Sequence, residues 1–261
     1  MSAAGGEGFT TDEMMAVAAA RHLDDGTVCF VGIGLPSLAA NLARRTHAPD
    51  CVLVYESGTI GAKPTKLPLS IGDGELCGTA LTTVSVPEMF RYWLQGGRIK
   101  VGFLGGAQID KYANLNSTVV GPYDKPKVRL PGAGGAPEIA TSCGEIFIIM
   151  AQGKRSFVDK LDFVTSIGYV AGGDSRARLG VKTKGPTKLI TDLAMFEPDP
   201  QSKEMTVVSI HAGVTREQIQ DNTGWKVAFA AKVAETPPPT PRELEVLRDL
   251  HARTNRAHEA A

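Results

Sequence analysis

Apolar residues fall along the 261-residue chain in short continuous runs, separated by amphipathic stretches and glycine-rich breaks. Thr10 and Glu13 have the T-x-x-E spacing of a helix capping box, with Phe9 and Met14 placed as a hydrophobic staple. Met15, Val17, Ala18 and Ala19 continue that helix until Asp24–Asp25–Gly26 stops it. From there strand and helix patterns alternate. TVCFVGIG (27–34) reads as a buried strand running into glycines, PSLAANLARR (36–45) as a helix with Pro36 in its first turn, and CVLVYE (51–56) as the next strand. VPEMFRYWLQGG (86–97) predicts a helix ended by glycine, and KVGFLGG (100–106) a strand. NSTVVG (116–121), EIFIIM (145–150), KLITDLAMF (188–196) and MTVVSI (205–210) predict four more strands, and VTREQIQDNTG (214–224) a short helix.

Continuous apolar strands alternating with amphipathic helices imply an α/β fold: an open, mostly parallel sheet covered by helices on both faces. TPPPTP (236–241) reads as a stiff linker between a body at 1–235 and an appendix at 236–261. Thr240, Pro241 and Glu243 supply an N-cap, an N1 proline and a capping-box partner for a last, charged helix, ELEVLRDLHARTNRA. That helix is expected to pack on the domain or on a partner.

Composition narrows the function classes. Lys+Arg and Asp+Glu balance at 28 each, so no basic excess argues for nucleic acid. No apolar stretch approaches the ~18–20 residues of a membrane span. The opening MSAAGGEGFTTDEMM lacks the basic and apolar regions of a secretory signal, so a cytoplasmic protein is expected. Cys29, Cys51, Cys77 and Cys143 lie far apart without metal-ligand spacing, and a structural role is expected for each. No H-x-x-H or D-x-D cluster appears, so no metal site is expected. No G-x-S-x-G elbow stands ready to pair with a histidine in a hydrolase triad.

Three stretches offer chemistry, each with a plainer reading beside it. Gly32 and Gly34 in VGIGLP lie between strand and helix, where backbone amides can meet a phosphate; a tight connection explains them equally, since Ser37 replaces the third glycine of G-x-G-x-x-G. Gly132, Gly134 and Gly135 in LPGAGGAPEIA leave amides uncovered, either as an oxyanion hole or as a flexible loop. Glu56 ends an apolar strand and is followed by Ser57 and Gly58. It is either a solvated loop carboxylate or a charge held where open α/β sheets bind ligands.

Taken in order, these motifs resemble the β-type subunit of the family I CoA-transferases, which includes 3-oxoacid, 3-oxoadipate and glutaconate enzymes. VGIGLP is similar to that family's GIGIP turn, YESGTIGA to its S-E-N-G-x-x-G signature, and FLGGAQIDKYANLN to its G-A-x-Q-x-D-x-x-G-N segment. GAGGA, LITDLAMF and GVTREQIQDNTGW resemble further family blocks, so the similarity spans about residues 12–230. Tyr55, Ser57, Ala113 and Pro137 depart from the commonest residues.

The resemblance implies a CoA-transferase-like fold and a ping-pong transfer of CoA between an acyl-CoA and a carboxylic acid, a 3-oxo or dicarboxylic acid. It makes Glu56 the nucleophile that becomes a glutamyl-CoA thioester. A carboxylate needs no histidine base for that role. Gly134 and Gly135 supply oxyanion amides, and Gln108, Asn114 and Asn116 either orient substrate or CoA or cap turns. CoA is a substrate rather than a bound cofactor. A separate α-type subunit is implied, in an α2β2 assembly. The rivals are a CoA-dependent hydrolase or decarboxylase on the same fold, and a non-catalytic scaffolding or nucleotide-binding subunit.

Overall fold

The Thr10–Glu13 capping box forms as its spacing predicts. In the computed structural model, which describes residues 8–259, Thr10 Oγ1 accepts from the Glu13 amide at 3.2 Å and Glu13 Oε2 accepts from the Thr10 amide at 2.8 Å. The secretory-signal reading of the first seven residues lies outside the described residues. Helix α1 (Thr11–Ala20) then buries every residue from Met14 to Ala20.

The chain divides into two compact units, one holding residues up to Phe103 together with those from Pro238 on, the other Leu104–Pro237. The body read from sequence as 1–235 therefore contains parts of both. In the first unit, β1 (Val28–Phe30) and β2 (Val52–Val54) pair in parallel around helix α2 (Leu35–Arg45), with Val28 opposite Val52 and Phe30 opposite Val54. The antiparallel strands β3 (Thr59–Ile60) and β4 (Thr82–Thr83) extend the sheet beyond β2, and β5 (Val101–Leu104) pairs parallel on the other side of β1.

The second unit holds two hairpins, β6 (Gln108–Ile109) with β7 (Leu115–Asn116) and β8 (Val119–Val120) with β9 (Val128–Arg129). Its larger sheet runs β10 (Glu145–Ile149), β11 (Pro186–Ile190), β12 (Ala194–Pro198), β13 (Met205–His211) and β14 (Ala228–Thr236). The pairs β10–β11 and β13–β14 are parallel; the two between them are antiparallel. Phe157 is stacked on Trp225 at 5.7 Å in its core. The open sheet with flanking helices is thus as expected, with one of its antiparallel pairs, β2–β3, forming the hairpin that carries Glu56.

Three local readings differ. KLITDLAMF is two antiparallel strands, because Thr191 turns the chain by accepting from the amides of Leu193 and Ala194. VPEMFRYWLQGG is a short helical turn, Val86–Glu88, followed by a π-helix, Met89–Leu94. NSTVVG breaks between β7 and β8, because the Asn116 side chain accepts from the amides of Thr118 and Val119.

The last helix, Pro241–Glu259, packs on α1 and α2 of its own chain. Leu247 and Leu250 are fully buried there. Both capping-box glutamates double as ion-pair partners: Arg248 Nε reaches Glu13 at 2.8 Å, and Arg21 forks onto Glu243 at 2.8 and 2.7 Å. The Arg248 hydrogen bond holds the Glu13 carboxyl below its ordinary value. A depressed acid stabilises the fold above its unfolded pKa, and that stability is lost as the pH falls through the folded value. Wild type is therefore expected to lose more denaturation midpoint between pH 5 and pH 3 than a Glu13→Gln variant. Arg248 is half exposed, so the difference is small, on the order of 1 kcal/mol or less.

Candidate active site

Glu56 sits on a two-residue turn whose flanks are fixed. Leu53, Val54 and Tyr55 are fully buried, so β2 reaches the turn from the core. The Gly58 amide donates to Tyr55 O at 2.9 Å and the Tyr55 amide to Thr59 O at 3.0 Å, leaving Glu56 and Ser57 at the apex. Gly58 has φ +101°, and a Cβ there would lie 1.9 Å from Val84 O. The same Gly58 accepts from the Val84 amide at 2.9 Å, so only glycine fits between the turn and the chain beyond β4.

The Glu56 carboxylate is half-buried and makes no hydrogen bond or ion pair among the described residues. Beside it the Ser57 hydroxyl is buried and unpartnered. The carboxylate is thus fixed through its backbone and free at its oxygens among the described residues.

Behind the turn, the Tyr55 hydroxyl lies 3.2 Å from Ser37 Oγ, and Asn41 Nδ2 donates to Ser37 O at 2.9 Å. Burial pushes the Tyr55 phenol up to about 12, which keeps it neutral. Two arginines of α2 hold the segment that follows, through Arg44 and Arg45 donating to Pro64 O at 3.2 and 3.0 Å. Ser37 occupies the place of the fingerprint's missing third glycine, and its hydroxyl instead anchors the residue before Glu56. Periodicity places Tyr55 and Ser37 in the core; it carries no signal that they meet.

Gly32 and Gly34 follow β1, the parallel neighbour of β2, so their turn and the Glu56 turn leave the same edge of the sheet. Gly34 caps α2 at φ +80° without any side-chain cap bond. That edge is where open α/β sheets bind ligands.

In the second unit, Gly132 and Gly134 adopt φ +105° and +49°, with open space where a Cβ would point. The Gly134 and Gly135 amides donate to nothing among the described residues, just ahead of the helix Ala136–Ser142. These are donors without acceptors, as an oxyanion site requires.

Gln108, Asn114 and Asn116 are buried, and each is hydrogen-bonded within the protein. Asn116 Nδ2 donates to Gln108 Oε1 and to Val119 O, each at 2.7 Å, while Gln108 Nε2 donates to Asp162 at 2.9 Å. Asn114 Nδ2 donates to Asp110 Oδ2 and Val170 O, and its Oδ1 accepts from the amides of Gly168 and Val170. The side-chain oxygen and nitrogen of Asn114 and Asn116 are each bonded twice within the protein, as turn-bracing requires, whereas Gln108 Nε2 makes one bond among the described residues. Ala113, which departs from a common glycine, sits at φ +57° between Asp110 and Asn114, a conformation glycine adopts without strain. Asn114→Ala is expected to cost about 3 kcal/mol by stranding buried amides, read as a lowered urea midpoint, without changing substrate affinity.

No group of His, Cys, Asp or Glu among the described residues is placed to hold a metal ion. His211 Nε2 contacts Thr191 O at 2.8 Å, and burial lowers its pKa. No described helix is long and apolar enough to cross a membrane.

Comparison with known proteins agrees with the motif order. The coenzyme A transferase family profile matches residues 12–222. The chain is 64% identical to the B subunit of the 3-oxoadipate CoA-transferase of Pseudomonas knackmussii over 250 residues, 96% of each chain. It is 37% identical to the B subunit of the glutaconate CoA-transferase of Acidaminococcus fermentans, covering 92% of each. The crystal structure of that glutaconate enzyme superposes with a TM-score of 0.86 at 34% identity, over 92% of this chain and 94% of the other. On motif order, fold and similarity alike, the chain belongs to the coenzyme A transferase family.

Proposed function

We propose that this chain is the B-type component of an acyl-CoA:carboxylate CoA-transferase that works by ping-pong through Glu56. The observation that carries the reading is the Glu56 carboxylate, held at the apex of a glycine-locked turn with its oxygens unpartnered. A Glu56 oxygen attacks the thioester carbonyl of the donor acyl-CoA. The tetrahedral oxyanion collapses, the C–S bond breaks, and CoA leaves as thiolate from a glutamyl-acyl anhydride. The thiolate then attacks the glutamyl carbonyl, which releases the donor carboxylate and leaves a glutamyl-CoA thioester. The acceptor carboxylate attacks that thioester, and the same steps run in reverse.

Each oxyanion needs aimed donors. The free amides of Gly134 and Gly135 are the candidates, and losing one such donor typically costs about 3 kcal/mol of barrier. Gly32 and Gly34, at the same edge as Glu56, are candidates for contact with the CoA side of the substrate. Named relatives of this chain are B subunits, so a partner subunit is implied. We assign the partner as an A-type chain in an α2β2 assembly in the cytoplasm. Water must be excluded from the anhydride, a task suited to a covering partner.

The acyl class follows from the chemistry of a similar relative: a 3-oxo dicarboxylic acid of the 3-oxoadipate type, supported by 64% identity to a component of a 3-oxoadipate transferase. That identity also weighs against the hydrolase, decarboxylase and scaffold readings. The test is to mix the co-purified complex with acyl-CoA and no acceptor, then seek CoA mass on the peptide containing Glu56. Stoichiometric labelling supports the reading; steady CoA release without labelling points to a hydrolase and overturns it.

A further inference from the structure

We propose that the second unit carries a binding pocket for a phosphate-bearing anion, formed by Lys182, Lys184 and Lys203 around the buried Arg176. The cavity measures about 450 Å³, and its described lining includes these four cations and no carboxylate. Arg176 is only 4% exposed and makes no salt bridge among the described residues. Its guanidinium donates instead to carbonyl oxygens: Ala140 at 2.7 Å, Gly168 at 2.9 Å, and Ile167 and Thr183 at 3.3 Å, with the Thr183 hydroxyl at 2.8 Å. Carbonyl dipoles hold the group in place but do not cancel its charge. A buried charge without a counter-ion is costly, so the pocket is electrostatically incomplete.

The lysines leave that charge uncompensated. Lys182 makes no ion pair among the described residues, and Lys184 reaches Glu145 only at 3.7 Å with its side chain 71% exposed. Lys203 lies 5.8 Å from the centre of the Tyr169 ring and takes φ +62°, an unusual backbone conformation for a residue other than glycine, asparagine or aspartate. The turn between β12 and β13 sets that conformation, the Lys203 amide donating to Asp199 O at 3.0 Å. The amides of Val181 and Lys182 also donate to nothing among the described residues.

The chemistry favours phosphate over carboxylate. Planar carboxylates are best gripped by an arginine fork, and the arginine of this lining has its fork filled by carbonyls. What remains are lysine point charges on separate segments, which suit a compact, multiply charged anion. Two sources share that chemistry: the nucleotide end of CoA and a free phosphorylated metabolite.

Calorimetric titration of the purified complex with inorganic pyrophosphate tests the pocket. The Lys182→Glu/Lys203→Glu variant is expected to raise Kd at least about tenfold, with wild-type affinity falling as salt rises. A Lys226→Glu/Lys232→Glu control makes the same change of net charge at exposed sites outside the pocket, and is expected to change Kd less than about twofold. Equal shifts in both variants, or no pyrophosphate binding by wild type, overturn the proposal. If the pocket variant also raises KM for CoA, the ligand is the nucleotide end, its 3′-phosphate if KM for dephospho-CoA is unchanged and its diphosphate if that rises too; if neither KM moves, it is a free phosphate compound. Pyrophosphate binding should survive Glu56→Gln, so this result stands apart from the reading of the catalytic turn.

Discussion

Glu56→Gln is expected to lower CoA transfer by at least about 1,000-fold while leaving the fold unchanged. Glutamine matches glutamate in size and enters the same turn, but its amide oxygen is a poor nucleophile and its charge is gone. Because the Glu56 carboxylate has no partner among the described residues, its loss breaks no structural bond. The Tm should therefore stay within about 1 °C of wild type. Glu56→Asp separates charge from position, since it keeps the carboxylate but draws it back by one methylene. Misplacement on that scale is expected to reduce kcat about 100-fold, with CoA still trapped on the enzyme. A Gln variant that transfers CoA at the wild-type rate would remove Glu56 from the mechanism.

Gly58→Ala should show the opposite pattern, damaging stability as well as activity. The added methyl group meets Val84 O at 1.9 Å, a separation no relaxed structure keeps. Relief requires pulling the turn from the chain beyond β4, which breaks the bond from the Val84 amide to Gly58 O. Backbone strain at φ +101° adds to that loss. Together these are expected to cost about 3–5 kcal/mol, a drop of roughly 10 °C in Tm. Gly34→Ala supplies the comparison, because it shares a positive φ of +80° but has open space around the new methyl. It should cost only the backbone strain of φ +80° and ψ −133°, about 1–3 kcal/mol. If the two variants are equally stable, the clash at Val84 is not what fixes the Glu56 turn.

Much of the fold is legible in the chain wherever a local signal is also the deciding one. The Thr10–Glu13 and Thr240–Glu243 spacings are complete in themselves, and both boxes form. The apolar runs at 27–31 and 51–55 become parallel neighbours because their hydrophobicity leaves no solvent face. The signal fails where a side chain bends the backbone against its neighbours' preference. Thr191 and Asn116 each fold a hairpin or a break into a run that reads as one strand. Strand Ala228–Thr236, AFAAKVAET, escapes the pattern because alanine and lysine are weak strand formers; its pairing with β13 decides it. At the candidate site, Glu56 and Gly58 stand out from sequence order. The Tyr55–Ser37 anchor does not, because it joins residues on different elements through one hydroxyl pair.

The division of the chain bears on its synthesis. The first unit joins residues up to Phe103 with those from Pro238 on, while residues Leu104–Pro237 lie wholly between. Every residue of the second unit is therefore synthesised before Leu247 and Leu250, the residues that seal against the first two helices. Until then the turn that bears Glu56 belongs to an unfinished unit, with the groups that pair with Arg248 and Glu243 waiting in α1 and at Arg21. Domains generally fold as units during translation. Here the second unit to be started is the first whose residues are all made, and the unit that bears the Glu56 turn is completed only by the helix Pro241–Glu259.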